Sequence, residues 1–183
     1  VGSPGQNWNP VVTSSHSFIH MVVDSRGGTH AISQDGKLRH ITDRYDSRTS
    51  SGHSYNETYT GLPTSGNYGL AMAIGPQDVL HAVMANGGNG DTGYYELWHV
   101  KRDQNGWSPA VKITPTNIAP PYVAATYSIN RSSLQVTPDG QWHLVAFRQL
   151  TRDAWNQAGN YVAFSEQGMS DLTPLTEPGA SGG

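Results

Sequence analysis

Short apolar runs recur along the chain, and each is bounded by turn-forming residues such as glycine, proline, asparagine or aspartate. Phe18–Val23 is one such run, and Leu70–Ile74 is another. Apolar residues do not recur at the helical spacing of three and four over successive turns. Short runs rich in Val, Ile, Tyr and Trp are typical of strands. The pattern therefore predicts an all-β chain.

One unit occurs three times along the sequence: a strand, a tight polar turn, and a second strand with a histidine near its start. The histidines of the three copies are His30, His81 and His143, so they lie 51 and 62 residues apart. Such spacing suits the four-stranded antiparallel blades of a β-propeller, each of about 40–50 residues with loop insertions. We therefore predict about three blades. Their bounds are 17–61, 69–114 and 132–176.

The two ends of the chain extend this prediction. Trp8–Thr13 resembles the strand Trp107–Thr114 of the second copy, so residues 5–13 are expected to form the outer strand of a further blade. A single propeller-like domain would then span 1–178, followed by a flexible tail at 179–183. Three blades cannot close a ring, because propellers typically have four to eight. The chain is then part of a longer propeller or a homo-oligomer whose copies complete the ring. Another antiparallel sandwich or barrel is the remaining alternative.

Charge and cysteine content exclude several classes of function. The net charge is −3, and no basic stripe for phosphates is present, which argues against nucleic acid as a partner. No apolar run is long enough to span a membrane. The chain has no cysteine, so it has no disulfide, thiol nucleophile or thiolate metal site.

Candidate binding residues lie in the loops expected at one end of the blades. In a propeller, the loops that join second to third strands and one blade to the next converge around the axis. Here these loops are predicted at 86–93, 148–159 and 117–131. Arginine offers a planar fork to a carboxylate or sulfate, and tyrosine and tryptophan stack on sugar faces. The predicted substrate-binding residues are Arg131, Arg152, Tyr122, Tyr127 and Trp155.

Candidate catalytic residues follow from the same loops and from the repeated histidines. A histidine repeated in every copy is more often part of the packing, yet imidazole also serves as acid or base near neutral pH. The predicted catalytic residues are His81, His143, Tyr94, Tyr95 and Arg148. Arg148 would neutralise a uronate carboxylate, while a histidine and a tyrosine would transfer protons. No metal motif occurs, and the oxygen-rich Asn86–Gly93 loop is the candidate for a Ca²⁺ ion.

The turn-Gly-x-His repeats, followed by strands rich in Tyr and Trp, resemble the BNR-repeat, sialidase-like propellers. That group includes sialidases, polysaccharide lyases and non-catalytic lectin-like propellers. Its Asp box, Ser/Thr-x-Asp-x-Gly-x-x-Trp, is degenerate here at Asp103–Trp107 and Thr137–Trp142, which favours a lyase over a sialidase. The resemblance implies an extracellular, glycan-directed protein and leaves open whether it cleaves the glycan or only binds it. As an enzyme, it would be a polysaccharide lyase or another glycan-cleaving enzyme that acts on an acidic polysaccharide. The alternative is a non-catalytic, lectin-like binding or assembly module.

Overall fold

A computed structural model of the chain describes residues 17–34, 38–45, 53–62, 69–87, 96–118, 120–130, 132–152 and 157–172. The strands within these residues form three antiparallel sheets. Within the described residues, the prediction of an all-β fold is therefore confirmed. The predicted outer strand at 5–13 and the tail at 179–183 lie outside the described residues.

Sheet 1 is a four-stranded meander in which each strand pairs with the next along the chain. Its strands are β1 (Ser17–Val23), β2 (Thr29–Gln34), β3 (Leu38–Tyr45) and β4 (His53–Tyr59). Asp24 shapes the turn from β1 to β2, because its Oδ1 accepts the backbone N–H of Arg26 at 2.9 Å and that of Gly28 at 2.7 Å. An aspartate that binds the backbone two residues further on is a common way to stabilise a turn.

Sheet 2 repeats this meander with a broken fourth strand. Its strands are β5 (Leu70–Ile74), β6 (Leu80–Asn86), β7 (Glu96–Asp103), β8 (Gly106–Trp107) and β9 (Val111–Lys112). Both β8 and β9 pair with β7. Pro109 lies in the gap between them, where its missing N–H interrupts no pairing of the sheet. A short 3-10 turn, Pro76–Asp78, joins β5 to β6.

Sheet 3 has a broken first strand, and it begins earlier than the sequence predicts. Its strands are β10 (Ala124–Ser128), β11 (Leu134–Val136), β12 (Trp142–Thr151), β13 (Gln157–Ser165) and β14 (Gly168–Asp171). Both β10 and β11 pair with β12. Two predicted loops are therefore wrong: 117–131 contains β10, and 148–159 contains the end of β12 and the start of β13. In β10, Ala125 and Tyr127 are buried while their neighbours are not, which is the period-two pattern of a strand.

The sheets pack face to face in the order 1, 2, 3. Alternate residues of β6 face opposite neighbours, because successive side chains of a strand point to opposite faces. Leu80, Ala82 and Met84 pack in the cluster shared with sheet 1, and Val83 and Ala85 pack in the cluster shared with sheet 3. Because other sheets cover both faces of β6, nearly all of its residues are apolar.

The first hairpins of the three sheets share one register. In each turn, a backbone N–H donates to the carbonyl of the residue four positions on, at 2.8 Å from Asp24, 2.8 Å from Gly75 and 2.9 Å from Thr137. Each repeat histidine lies two residues beyond the residue that closes the turn. The equivalent histidines are His30, His81 and His143.

Gly75 lies where the turn of sheet 2 packs against sheet 3. A Cβ atom built on Gly75 would lie 2.6 Å from Val136 Cγ1. Gly75→Ala should therefore lower the free energy of unfolding by about 1–3 kcal/mol, the usual cost of overpacking. Urea denaturation measures this cost, and it should shrink when Val136→Ala is already present. An equal cost in both backgrounds would contradict the packing explanation.

Candidate functional site

A cavity of about 400 Å³ lies between the connection from sheet 2 to sheet 3 and the face of sheet 3. This volume falls within the range of small-molecule sites, roughly 300–1,000 Å³. The connection contributes Pro115, Asn117, Ile118, Pro120 and Tyr122 to the lining. Sheet 3 contributes Ala125, Tyr127, Arg148, Leu150, Met169 and Asp171.

The register of sheet 3 places the polar lining residues on one face. Tyr127 of β10 is paired with Arg148 of β12, which is paired in turn with Asn160 of β13. Asp171 of β14 is paired with Val162, two residues from Asn160 on the same strand. Side chains that are directly opposite in a sheet share a face, and so do residues two apart along a strand. These side chains therefore all point towards the side that sheet 2 covers.

Arg148 is fixed by several contacts. Its Nη2 lies 2.7 Å from Asp171 Oδ1, and its Nε donates to Asn160 Oδ1 at 3.1 Å. Its Nη1 lies 4.0 Å from the sulfur of Met169, which is a weak acceptor. The Arg148 side chain is only 12% exposed, whereas that of Asp171 is 63% exposed. The guanidinium is thus held in place before any ligand arrives, and Asp171 faces solvent.

Two tyrosines complete the polar part of the lining. Tyr127 is buried, and its ring meets Phe164 edge-on with centroids 5.8 Å apart. Burial raises the pKa of Tyr127 above its ordinary value of 10, although the nearby Arg148 charge acts the other way. Its hydroxyl is therefore protonated at neutral pH and able to donate. Tyr122 lies on the connection and is partly exposed.

The structure brings three of the predicted site residues together in the cavity: Tyr122, Tyr127 and Arg148. Arg152 is exposed just after β12 and does not line the cavity. Most of the Asn86–Gly93 loop lies outside the described residues, so the Ca²⁺ prediction stays a prediction. The remaining predicted residues also lie outside them: Tyr94, Tyr95, Arg131 and Trp155.

The structure does not bring the two predicted catalytic histidines to Arg148. His143 is exposed on the opposite face of β12, since residues an odd number apart along a strand point to opposite faces. His81 is buried between sheets 2 and 3, where its Nδ1 lies 3.1 Å from His99 Nε2. The His99 ring in turn stacks on Trp142, with centroids 4.5 Å apart. The described residues therefore do not assemble the predicted arrangement of base and arginine.

Burial lowers the pKa of both paired imidazoles. The pKa of His81 falls from 6.5 to about 4, first through burial and then through the charge of Lys101. The pKa of His99 also falls to about 4, through burial, through His81 and through Lys101. Both rings are neutral at pH 7, so one donates a hydrogen bond to the other. The two imidazoles therefore form a buried hydrogen bond that belongs to the core.

Sequence reasoning missed Asp171 and Asn160, which hold Arg148. The sequence Glu166–Gly168 has the composition of a hairpin turn. This turn predicts that the strand after it, which contains Asp171, pairs with β13. Among the described residues, no group of three or more His, Asp or Glu side chains is placed to hold a metal ion. Within the same part of the chain, no helix has the length and apolarity needed to cross a membrane.

A comparison with models of protein families and with curated proteins finds no match to this chain.

Proposed function

We propose that this chain is a propeller-type carbohydrate-binding module and that the cavity on sheet 3 binds the sugar. The architecture supports the first part. Three consecutive antiparallel meanders, with equivalent first turns and face-to-face packing, are what successive blades of a propeller require.

The observation that carries the second part is the ion pair of Arg148 with Asp171 in the cavity wall. The pair presents fixed N–H donors beside carboxylate acceptors, with Oδ1 of Asp171 2.7 Å from Nη2 of Arg148. Two neighbouring sugar hydroxyls can accept from one partner and donate to the other, because each hydroxyl is both donor and acceptor. Tyr122, partly exposed on the facing connection, offers a ring on which the apolar face of a sugar can stack.

Binding is better supported than cleavage. In the predicted lyase reaction, a base must reach the carbon next to the carboxylate that Arg148 neutralises. His81 is buried in a contact with His99, and His143 lies on the other face of the sheet. Among the residues that the structure describes, the cavity thus offers recognition groups without a nearby imidazole. This arrangement favours the lectin-like alternative over the lyase.

Arg148→Gln should weaken sugar binding by roughly ten- to a hundredfold, the usual loss when a hydrogen bond to a charged group is removed. Isothermal titration against a panel of neutral and uronate-containing oligosaccharides measures the affinity. Arg26→Gln is the matched control, because Arg26 is exposed in the first turn of sheet 1 and does not line the cavity. Equal loss in both variants, or no binding by the wild-type chain to any sugar of the panel, would contradict the proposal. Release of unsaturated or reducing ends would instead show an enzyme.

Asp171→Asn separates neutral from acidic sugars with the same titration. If Asp171 accepts from a sugar hydroxyl, its replacement should weaken binding. If the ligand carries a carboxylate, removing the negative charge beside Arg148 should strengthen binding, because like charges repel. We expect the first result. If the variant binds uronate oligosaccharides more tightly, the ligand is an acidic polysaccharide, as the sequence predicts.

A further inference from the structure

Apolar side chains are exposed at both ends of the sheet stack. On sheet 1, they form the outer face of β1, with Met21 59% exposed and Val23 53% exposed. On sheet 3, they form the outer face of β12 and β13, with Val145 43%, Phe147 38% and Tyr161 58% exposed. We name these surfaces the β1 face and the β12 face. Exposed apolar residues that share one face of a sheet are candidates for a contact surface.

The register of the hairpins gives these residues buried equivalents inside the stack. Met21 and Met72 hold equivalent positions, because each lies three residues before the turn residue whose N–H donates, Asp24 or Gly75. Met72 is only 3% exposed, because it packs in the cluster shared with sheet 1. Val145 and Val83 also hold equivalent positions, because each lies four residues after the residue whose carbonyl accepts that turn hydrogen bond. Val83 is fully buried in the cluster shared with sheet 3. Positions that are covered within the stack are thus uncovered at its two ends.

The two end faces are complementary in kind. The β12 face is equivalent to the face that sheet 2 turns towards sheet 3. The β1 face is equivalent to the face that sheet 2 turns towards sheet 1. A β12 face placed on a β1 face would therefore repeat the junction that already occurs twice within the chain.

We propose that the β12 face binds the β1 face of a second copy of this chain, and that two copies close a ring of six sheets. A contact between unlike faces yields a closed ring when the rotation per copy permits it, and six sheets lie within the usual range for propellers. The inference rests on the propeller part of the proposed function and not on the sugar.

The β12 face is already ordered for such a contact. The rings of Phe147 and Tyr161 meet edge-on, with centroids 5.4 Å apart. Phe147 also lies over Gly159, since a Cβ atom on that glycine would overlap Phe147 Cζ. Two fixed aromatic rings are typical anchors of a protein interface, because little side-chain entropy is lost when they are covered.

Light scattering and sedimentation of the wild-type chain should give twice its 19.7 kDa mass. Val145→Asp and Met21→Asp should each raise the dissociation constant of the dimer about a hundredfold, because each buries a carboxylate without a partner. Val111→Asp is the matched control, since Val111 is 57% exposed on β9, away from both end faces, and this variant should stay dimeric. Thermal melts that match the wild type verify that each variant folds.

Mixing the two disrupted variants tests the direction of the contact. The Val145→Asp chain keeps an intact β1 face, and the Met21→Asp chain keeps an intact β12 face. At concentrations below the raised dissociation constants, where each variant alone is monomeric, their mixture should therefore form a one-to-one complex through one intact junction. A wild-type monomer at every concentration, a filament in place of a dimer, or a Met21→Asp variant that dimerises as tightly as the wild type would each overturn the proposal.

The sugar titration on the same samples separates this inference from the proposed function. A wild-type chain that binds sugar as a monomer would contradict the proposed ring and still support sugar binding in the cavity. A dimer that binds no sugar would support the ring and overturn the cavity proposal.

Discussion

Acidification from pH 7 to pH 4 should lower the free energy of unfolding by roughly 3–6 kcal/mol through His81 and His99 alone. Each imidazole has a pKa of about 4 in the folded chain, against 6.5 for a solvated histidine. The folded state therefore binds fewer protons than the unfolded state between these two values. Stability is fully present above pH 6.5 and is lost as the pH falls from 6.5 towards 4.

Stability is lost because His81 and His99 are buried between sheets 2 and 3. Protonation would put a charge where both rings are buried, and would put a second charge 3.1 Å from the first. It would also end the hydrogen bond from one neutral ring to the other, since a doubly protonated pair has no acceptor. Because domains of this size have a total stability of about 5–15 kcal/mol, the loss is a large fraction of the whole.

Urea denaturation between about pH 8 and pH 4 measures this dependence. His99→Phe keeps a ring against Trp142 but removes one titrating group, so its stability should fall about half as steeply over this range. His143→Gln is the matched control, because His143 holds the equivalent position of the repeat but is exposed. An identical pH dependence for the wild type and His99→Phe would contradict the assignment.

The repeat histidines show what local sequence can and cannot predict. Their equivalent positions follow from the turn that precedes each of them. Their surroundings differ, because His30 contacts Asp24 at 3.2 Å, His81 contacts His99, and His143 is exposed. The partner of His30 lies in the same hairpin, because Asp24 belongs to the turn that precedes it. The burial of His81 and the exposure of His143 depend instead on whether another sheet covers them, which is a tertiary property that no hairpin encodes.

The candidate site divides in the same way. Loop composition selects Tyr122 and Tyr127 as candidate binding residues and Arg148 as a candidate catalytic residue, and all three line the cavity, although Arg148 and Tyr127 lie on strands and not in loops. The partnership of Arg148 with Asp171 depends on the register of β12, β13 and β14. A slip of one residue in either pairing would turn one partner to the opposite face. Sequence patterns locate the strands but leave that register undetermined.

Phe164→Ala should lower the free energy of unfolding by about 3–5 kcal/mol, the usual cost of truncating a large buried aromatic. Phe164 is 1% exposed and lies in the core cluster shared by sheets 2 and 3, where it also supports the ring of Tyr127. The chain carries its own matched control in Phe147, which lies on the β12 face and is 38% exposed. At concentrations where the chain is monomeric, Phe147→Ala should cost well under about 1 kcal/mol.

The difference between these two variants tests the register on which the cavity and the end faces both depend. Phe164 shares its face of sheet 3 with Arg148, because Leu144 is paired with Phe164 and lies four residues from Arg148 on β12. Phe147 shares the other face with Val145 and Tyr161. If Phe147→Ala proved the more costly in the monomer, β12 would have to present its opposite face to sheet 2. Arg148 would then lie outside the cavity, and Val145 would lie inside the stack.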